Sequence, residues 1–220
     1  MKFLFIFGLL VSIGYVLAGC DEDYPKYKSC ASKAVQFTKF KSKEEVETYC
    51  KSFDVSECKD FLEIVSTPSE CLKDNNNMTL VAGLQLPYLA YCSKNKDNEN
   101  CPITKFIVEN FTEFDNINVK DLSDTLKETI INDCKDEECN KRMVTIGQSL
   151  EEPLLKNVAP SIFGNVYDFF TMLYGSYKEK KCDTITTNDG NKNDENSSAR
   201  TMTKITYSFI GMILLSMVML

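Results

Sequence analysis

Between residues 20 and 182 the apolar positions recur with a helical period. Ser42 and Glu45 stand in the spacing of a capping box, followed by Val46, Tyr49, Cys50 and Phe53 at i, i+3, i+4 and i+7. Ser56 is placed to cap a second helix with Cys58, Phe61, Leu62 and Val65 on its face, and Pro68 follows its end. A third runs from about Thr79 to Cys92, carrying Leu80, Leu84, Tyr88 and Tyr91, with a kink expected at Pro87. Pro102 opens a fourth, with Ile103, Phe106, Ile107 and Phe114 inward. Leu122, Leu126, Ile130 and Cys134 mark a fifth, and Cys139, Met143, Ile146 and Leu150 a sixth. After Pro160, the face Ile162, Val166, Phe169, Phe170, Leu173 and Tyr177 predicts a long seventh, read as a central core helix. No alternating run with turn signals predicts a hairpin. The expectation is an all-α, disulfide-stapled domain of about six or seven helices.

The two ends break this pattern. Residues 1–18 join Lys2 to an apolar run and then small residues, the form of a secretory signal peptide cut after Ala18. Leu17 to Cys20 also has the form of a bacterial lipobox, but lipidating Cys20 would leave nine other cysteines, an odd number. At the far end, residues 183–198 hold a single large apolar residue, Ile185, and read as a disordered polar stalk. Their NDGNKNDEN run is no calcium loop, because Ile185 and Thr187 stand where oxygen ligands are needed before Gly190. Asn196 to Ala199, a polar spacer and the run from Phe209 to Leu220 fit a glycosylphosphatidylinositol (GPI) attachment signal, with residues 199–220 as the removed propeptide and Asn196 as the attachment residue. Counted from Ile205 the tail offers 16 residues, fewer than the ~20 a spanning helix takes. The folded ectodomain is therefore expected over residues 19–182.

Composition narrows the chemistry. There are 32 acidic and 25 basic side chains, a formal charge of −7, and losing Lys2, Arg200 and Lys204 with the two signals takes it to about −10. Such a surface does not suit nucleic acid, and anionic lipid headgroups would repel it, so membrane attachment falls to the glycolipid. The ten cysteines, Cys20, Cys30, Cys50, Cys58, Cys71, Cys92, Cys101, Cys134, Cys139 and Cys182, all follow the signal cut. In a secreted chain an even number implies a disulfide framework, here five bonds whose pairing spacing cannot choose. With no histidine, Ser-His-Asp and Cys-His catalysis are absent, and so are mixed Cys-His zinc sites. No C-x-x-C, P-loop or nucleophile elbow occurs.

The remaining candidates have structural readings. Asp136, Glu137 and Glu138, in the densest acid run, suit the positive end of the following helix. The excess of 23 lysines over two arginines reads as coding bias. Asn77 and Asn110 lie in N-glycosylation sequons, with Asn77 in an exposed polar run and Asn110 within a helix. No catalytic, metal or cofactor site is assigned. The expected protein is non-enzymatic and GPI-anchored on the outer face of the plasma membrane or in the cell wall. Its role would be adhesion, surface structure or interaction with an extracellular protein, glycan or lipid. The alternative is a lipid or sterol carrier, with the aromatics of Ile162–Tyr177 lining a cavity.

Overall fold

The computed structural model describes residues 19–34 and 40–185. The signal segment, nearly all of the stalk, Asn196 and the apolar tail lie outside the described residues. Among those described the fold is all-α, and the sole β-type pairing is an antiparallel bridge between Lys94 and Asn100. In chain order the helices are α1 (Cys20–Ala31), α2 (Lys43–Lys51), α3 (Lys59–Ile64), α4 (Met78–Tyr91), α5 (Pro102–Glu109), α6 (Phe111–Asp115), α7 (Asp124–Lys135), α8 (Glu137–Glu151), α9 (Pro153–Phe163) and α10 (Asn165–Glu179). Short 3-10 turns cover Ser56–Cys58, Glu70–Lys73 and Cys182–Thr184.

Helix starts follow local chemistry. Ser42 accepts from the Glu45 amide at 3.3 Å, while the Glu45 carboxylate reaches back to the Lys41 amide at 2.7 Å. Ser123 caps α7 through the Leu126 amide. Asp136 caps α8, accepting from the Glu138 and Cys139 amides at 3.1 and 3.0 Å, and Glu137 and Glu138 fill the first turn. The acid run is thus a helix start. Pro102 and Pro153 occupy first-turn positions, where the missing N–H costs nothing.

There are more helices than the six or seven expected, for three local reasons. First, α1 escapes the hydrophobic period because it presents Asp21, Glu22 and Asp23 in its first turn and contains Pro25. It buries Tyr27 and Cys30 and is pinned by two disulfides. Second, the fourth expected helix breaks at Asn110. The Asn110 side-chain amide takes the Phe106 carbonyl at 2.9 Å, which its own backbone N–H would otherwise bond, and the backbone turns to φ −134° and ψ 45°. Asn110 therefore lies between α5 and α6 rather than within a helix. Third, α9 begins at Pro153 and runs through Pro160, and the long seventh helix is cut at Gly164. That residue sits at φ 51° and ψ −128°, a region open essentially to glycine. Ser56 also departs from expectation: it starts a 3-10 turn, and its hydroxyl donates to Glu57 instead of capping α3.

The core is organised around α4 and α8, which touch each other. No charge occurs from Met78 to Tyr91, and α4 buries Val81, Leu84, Gln85, Leu86 and Leu89 around its circumference. A helix apolar on all sides belongs in the interior. By contrast α10, expected to be central, buries one face through Phe169, Phe170, Leu173 and Tyr177. It packs most extensively on α8, and Gly147 permits that approach, since a Cβ there would overlap the Tyr174 ring. Two aromatic clusters fill the gaps. Tyr27, Phe53, Phe61 and Tyr88 pack with centroids 4.9–5.6 Å apart, and Phe114, Phe169 and Phe170 with centroids 5.4–6.2 Å apart, mostly edge to face. Each such pair contributes about 0.5–1.5 kcal/mol beyond the area it buries.

All ten cysteines are paired: Cys20–Cys71, Cys30–Cys58, Cys50–Cys92, Cys101–Cys139 and Cys134–Cys182. Sequence separations of 28 to 51 residues make each loop long enough for roughly 2–4 kcal/mol of stabilisation. Three bonds lie wholly within residues 20–92 and two within 101–182, so none crosses the boundary between Cys92 and Cys101. Covalently, two closed segments are joined by the Lys94–Asn100 hairpin alone.

Burial also sets an alkaline limit on the fold. Desolvation raises the phenols of Tyr49 and Tyr88 above 10 and pushes Tyr27 up to about 12. Their neutral forms are favoured in the folded state, so this contribution is full below pH 10 and lost as pH rises from 10 through 12. Tyrosinate absorbance and helical circular dichroism recorded together are expected to show these residues ionising only as the helices melt. Full ionisation at pH 10 with the helices intact would contradict the burial.

Candidate functional site

Burying a helix end strands its last carbonyls, because they have no partner within the helix. α8 answers this for several neighbours. Arg142 Nη1 donates to the Leu89 carbonyl in the last turn of α4 at 3.1 Å, and Nη2 donates to Asp133 Oδ1 at 2.7 Å. Asn140 donates to the Tyr177 carbonyl near the end of α10 at 3.1 Å and to the Cys134 carbonyl near the end of α7 at 3.3 Å. Thr145 donates to the Ser66 carbonyl just beyond α3 at 2.9 Å. From α4, Gln85 serves the Val65 and Thr67 carbonyls at 2.9 and 2.7 Å, and from α5, Thr104 serves the Ala90 carbonyl at 3.1 Å.

Asp133 and Arg142 form a buried ion pair, exposed 0% and 2%. Its orientation follows the helix dipoles. The cation sits at the carbonyl end of α4, and the anion accepts the Ile103 amide at the amide end of α5 at 2.8 Å. The Tyr177 hydroxyl lies 3.1 Å from both Asp133 Oδ2 and the Ile130 carbonyl. Burial, reinforced by the Asp133 charge, raises the Tyr177 phenol well above 10. Arg142 Nε is buried and has no hydrogen-bond partner.

Arg142 also forms part of the floor of a cleft of about 570 Å³, within the ~300–1,000 Å³ of small-molecule sites. α2 and the 93–100 hairpin flank it, and the Cys50–Cys92 disulfide forms part of its wall. The rim is balanced in charge, with Lys43, Lys51 and Lys94 against Glu47, Asp54 and Glu138. The hairpin that supplies Lys94, Asn98 and Asn100 is held by its own hydrogen bonds. Asn95 Oδ1 accepts from the Asp97 and Glu99 amides at 3.0 and 2.9 Å, and Lys94 Nζ donates to Asn98 Oδ1 at 3.1 Å. A second opening, apolar and about 60 Å³ in volume, is lined by Leu86, Ile146, Phe163, Val166, Tyr167 and Phe170. Part of the aromatic stretch therefore does face a groove, while Phe169 and Tyr177 are core.

The residues singled out from sequence are dispersed. The cysteines form the framework, and Cys20, bonded to Cys71, carries no free thiol for lipidation. Cys101, Asp133 and Cys139 place ligand-type atoms within 4.8 Å of one another, but the two sulfurs are joined in a disulfide and offer no thiolate to a metal. Asn77 is half-buried at the cap of α4 with its amide donating to Asp74 at 3.1 Å, and Asn110 is half-buried at the α5–α6 break. Asn196 lies outside the described residues. No described helix is long and apolar enough to cross a membrane. The hydrophobic period did not reveal Arg142, Asp133 or the cleft. The available signal was composition, since Arg142 is one of two arginines among 23 lysines, a guanidinium where the chain otherwise uses an ammonium.

Comparison with known protein families, curated proteins and solved structures returns no match to this chain.

Removing one charge of the pair strands the other in the interior. Asp133→Asn is expected to lower the denaturant-unfolding free energy by roughly 3–5 kcal/mol, and adding Arg142→Met should recover part of that loss. Equal stability of wild type and Asp133→Asn would show that the pair carries no such role.

Proposed function

We propose that the protein is a secreted, GPI-anchored surface component that acts by contact, in adhesion, surface structure or partner binding, without catalysing a reaction. The observation that supports the extracellular part of this reading is the set of five disulfides spread through one helical fold. Such bonds form and persist in the secretory pathway and outside the cell. The signal-type segment at residues 1–18 points to the same compartment, and the anchor rests on the small-residue site, spacer and apolar run of residues 196–220. The acidic surface leaves attachment to the glycolipid. The half-open cleft, with polar groups fixed by a hairpin and a disulfide, supports an interaction role. The carrier alternative draws on the apolar groove, whose volume of about 60 Å³ is well below the ~300–1,000 Å³ of small-molecule sites.

Treating intact cells with a phosphatidylinositol-specific phospholipase, and a parallel sample with nitrous acid to cleave anchors whose inositol is acylated, tests the reading. The expected product is soluble protein whose C-terminal residue, read by mass spectrometry, is Asn196 or Ser197. A C-terminal peptide extending to Leu220 on the mature protein would overturn the anchor.

A further inference from the structure

We propose that the cleft beside the 93–100 hairpin binds a neutral glycan of two to four sugar residues. The inference deepens the interaction reading above by naming the ligand class, and it does not require the anchor. Charge is the first argument. Three lysines and three carboxylates surround the cleft, and Arg142 beneath it is neutralised by Asp133. An anionic ligand would meet Glu47, Asp54 and Glu138 on a chain of formal charge −7, and a cationic one would meet the lysines. The balance favours a ligand with no net charge that both donates and accepts hydrogen bonds.

The kinds of groups present narrow it further. Carboxylates at Glu47 and Asp54 and amides at Asn98 and Asn100 offer paired polar atoms suited to adjacent hydroxyls. Tyr88 and Tyr91, one turn apart on α4, are half-buried and line the cleft, adding aromatic surface beside the polar groups while their rings also pack on Phe53, Phe61 and Phe40. Preorganisation is the third argument. The hairpin is fixed by four hydrogen bonds centred on Asn95 and by flanking bonds from Lys94 to Asn98 and from the Cys101 amide to the Ser93 carbonyl, and the Cys50–Cys92 bond ties its base to α2, so little ordering is required on binding.

The test uses the phospholipase-released protein, or the same mature chain from a secretory host, in calorimetric or NMR titrations. The probes are cellotetraose, laminaritetraose, mannotetraose and chitotetraose, alongside a heparin tetrasaccharide and an uncharged Gly-Ser tetrapeptide. At least one neutral tetrasaccharide is expected to bind at millimolar concentration or below. Asp54→Asn and Asn100→Ala, both at exposed rim positions, should weaken that binding about ten-fold while leaving helical content and melting temperature unchanged. Absence of binding by all four neutral tetrasaccharides overturns the proposal. So does binding indifferent to both substitutions, or binding confined to the heparin fragment or the peptide. Glycan binding by a protein that carries no anchor would overturn the anchor and leave this inference standing.

Discussion

The fold depends on finding partners for carbonyls at buried helix ends. Short helices multiply such ends, and an interior carbonyl with no donor costs about as much as a lost hydrogen bond. Here α8 carries the donors: Asn140, Arg142 and Thr145 reach the ends of α7, α10 and α4 and the segment after α3. A buried guanidinium needs a counter-charge, and Asp133 supplies it while capping α5. The ion pair thus spans the point where one helix ends and the next begins. It also joins the two disulfide-closed segments, since Leu89 belongs to the first and Asp133 and Arg142 to the second.

That division explains how the covalent and non-covalent restraints share the task. Within each segment, disulfides restrict the unfolded chain. Between segments, the work falls to the apolar contacts of α4 with α5 and α8 and to the polar contacts of Arg142, Thr104 and Thr145. The cleft opens along part of this junction, walled by the Cys50–Cys92 bond and floored in part by Arg142. A surface cleft whose walls are set by a disulfide, a hydrogen-bonded hairpin and a buried ion pair keeps its shape without a ligand. Such a frame suits recognition by a rigid surface.

Much of the helical architecture was legible in the sequence, because Val46, Tyr49, Leu126, Ile130, Met143 and Ile146 mark burial by simple periodicity. The cap at Ser42, the proline at 102 and the acids at 136–138 as a helix start were legible too, since their chemistry is local. What escaped was decided elsewhere. α1 is held by disulfides and Tyr27 burial rather than by a hydrophobic stripe. Asn110 breaks a helix by diverting one carbonyl, and Gly164 by a backbone conformation, neither of which disturbs the apolar period. Asp133, Asn140, Arg142 and Thr145 are polar residues buried in the interior, where the last three donate to carbonyls at or near neighbouring helix ends and Asp133 accepts from Arg142 and the Ile103 amide. The cleft was illegible for the same reason, being assembled from α2, α4, α8 and a hairpin far apart in sequence.

Two covalently closed segments are held together by a buried polar and apolar junction. The most direct test is to insert a specific protease site between Asn95 and Glu99, cut the folded protein there, and leave every disulfide intact. The account predicts that the two fragments co-elute under native conditions and separate in denaturant without any reductant. Fragments that stay linked in denaturant would reveal a disulfide crossing the boundary, and fragments that part under native conditions would show that the junction does not hold; either result contradicts it.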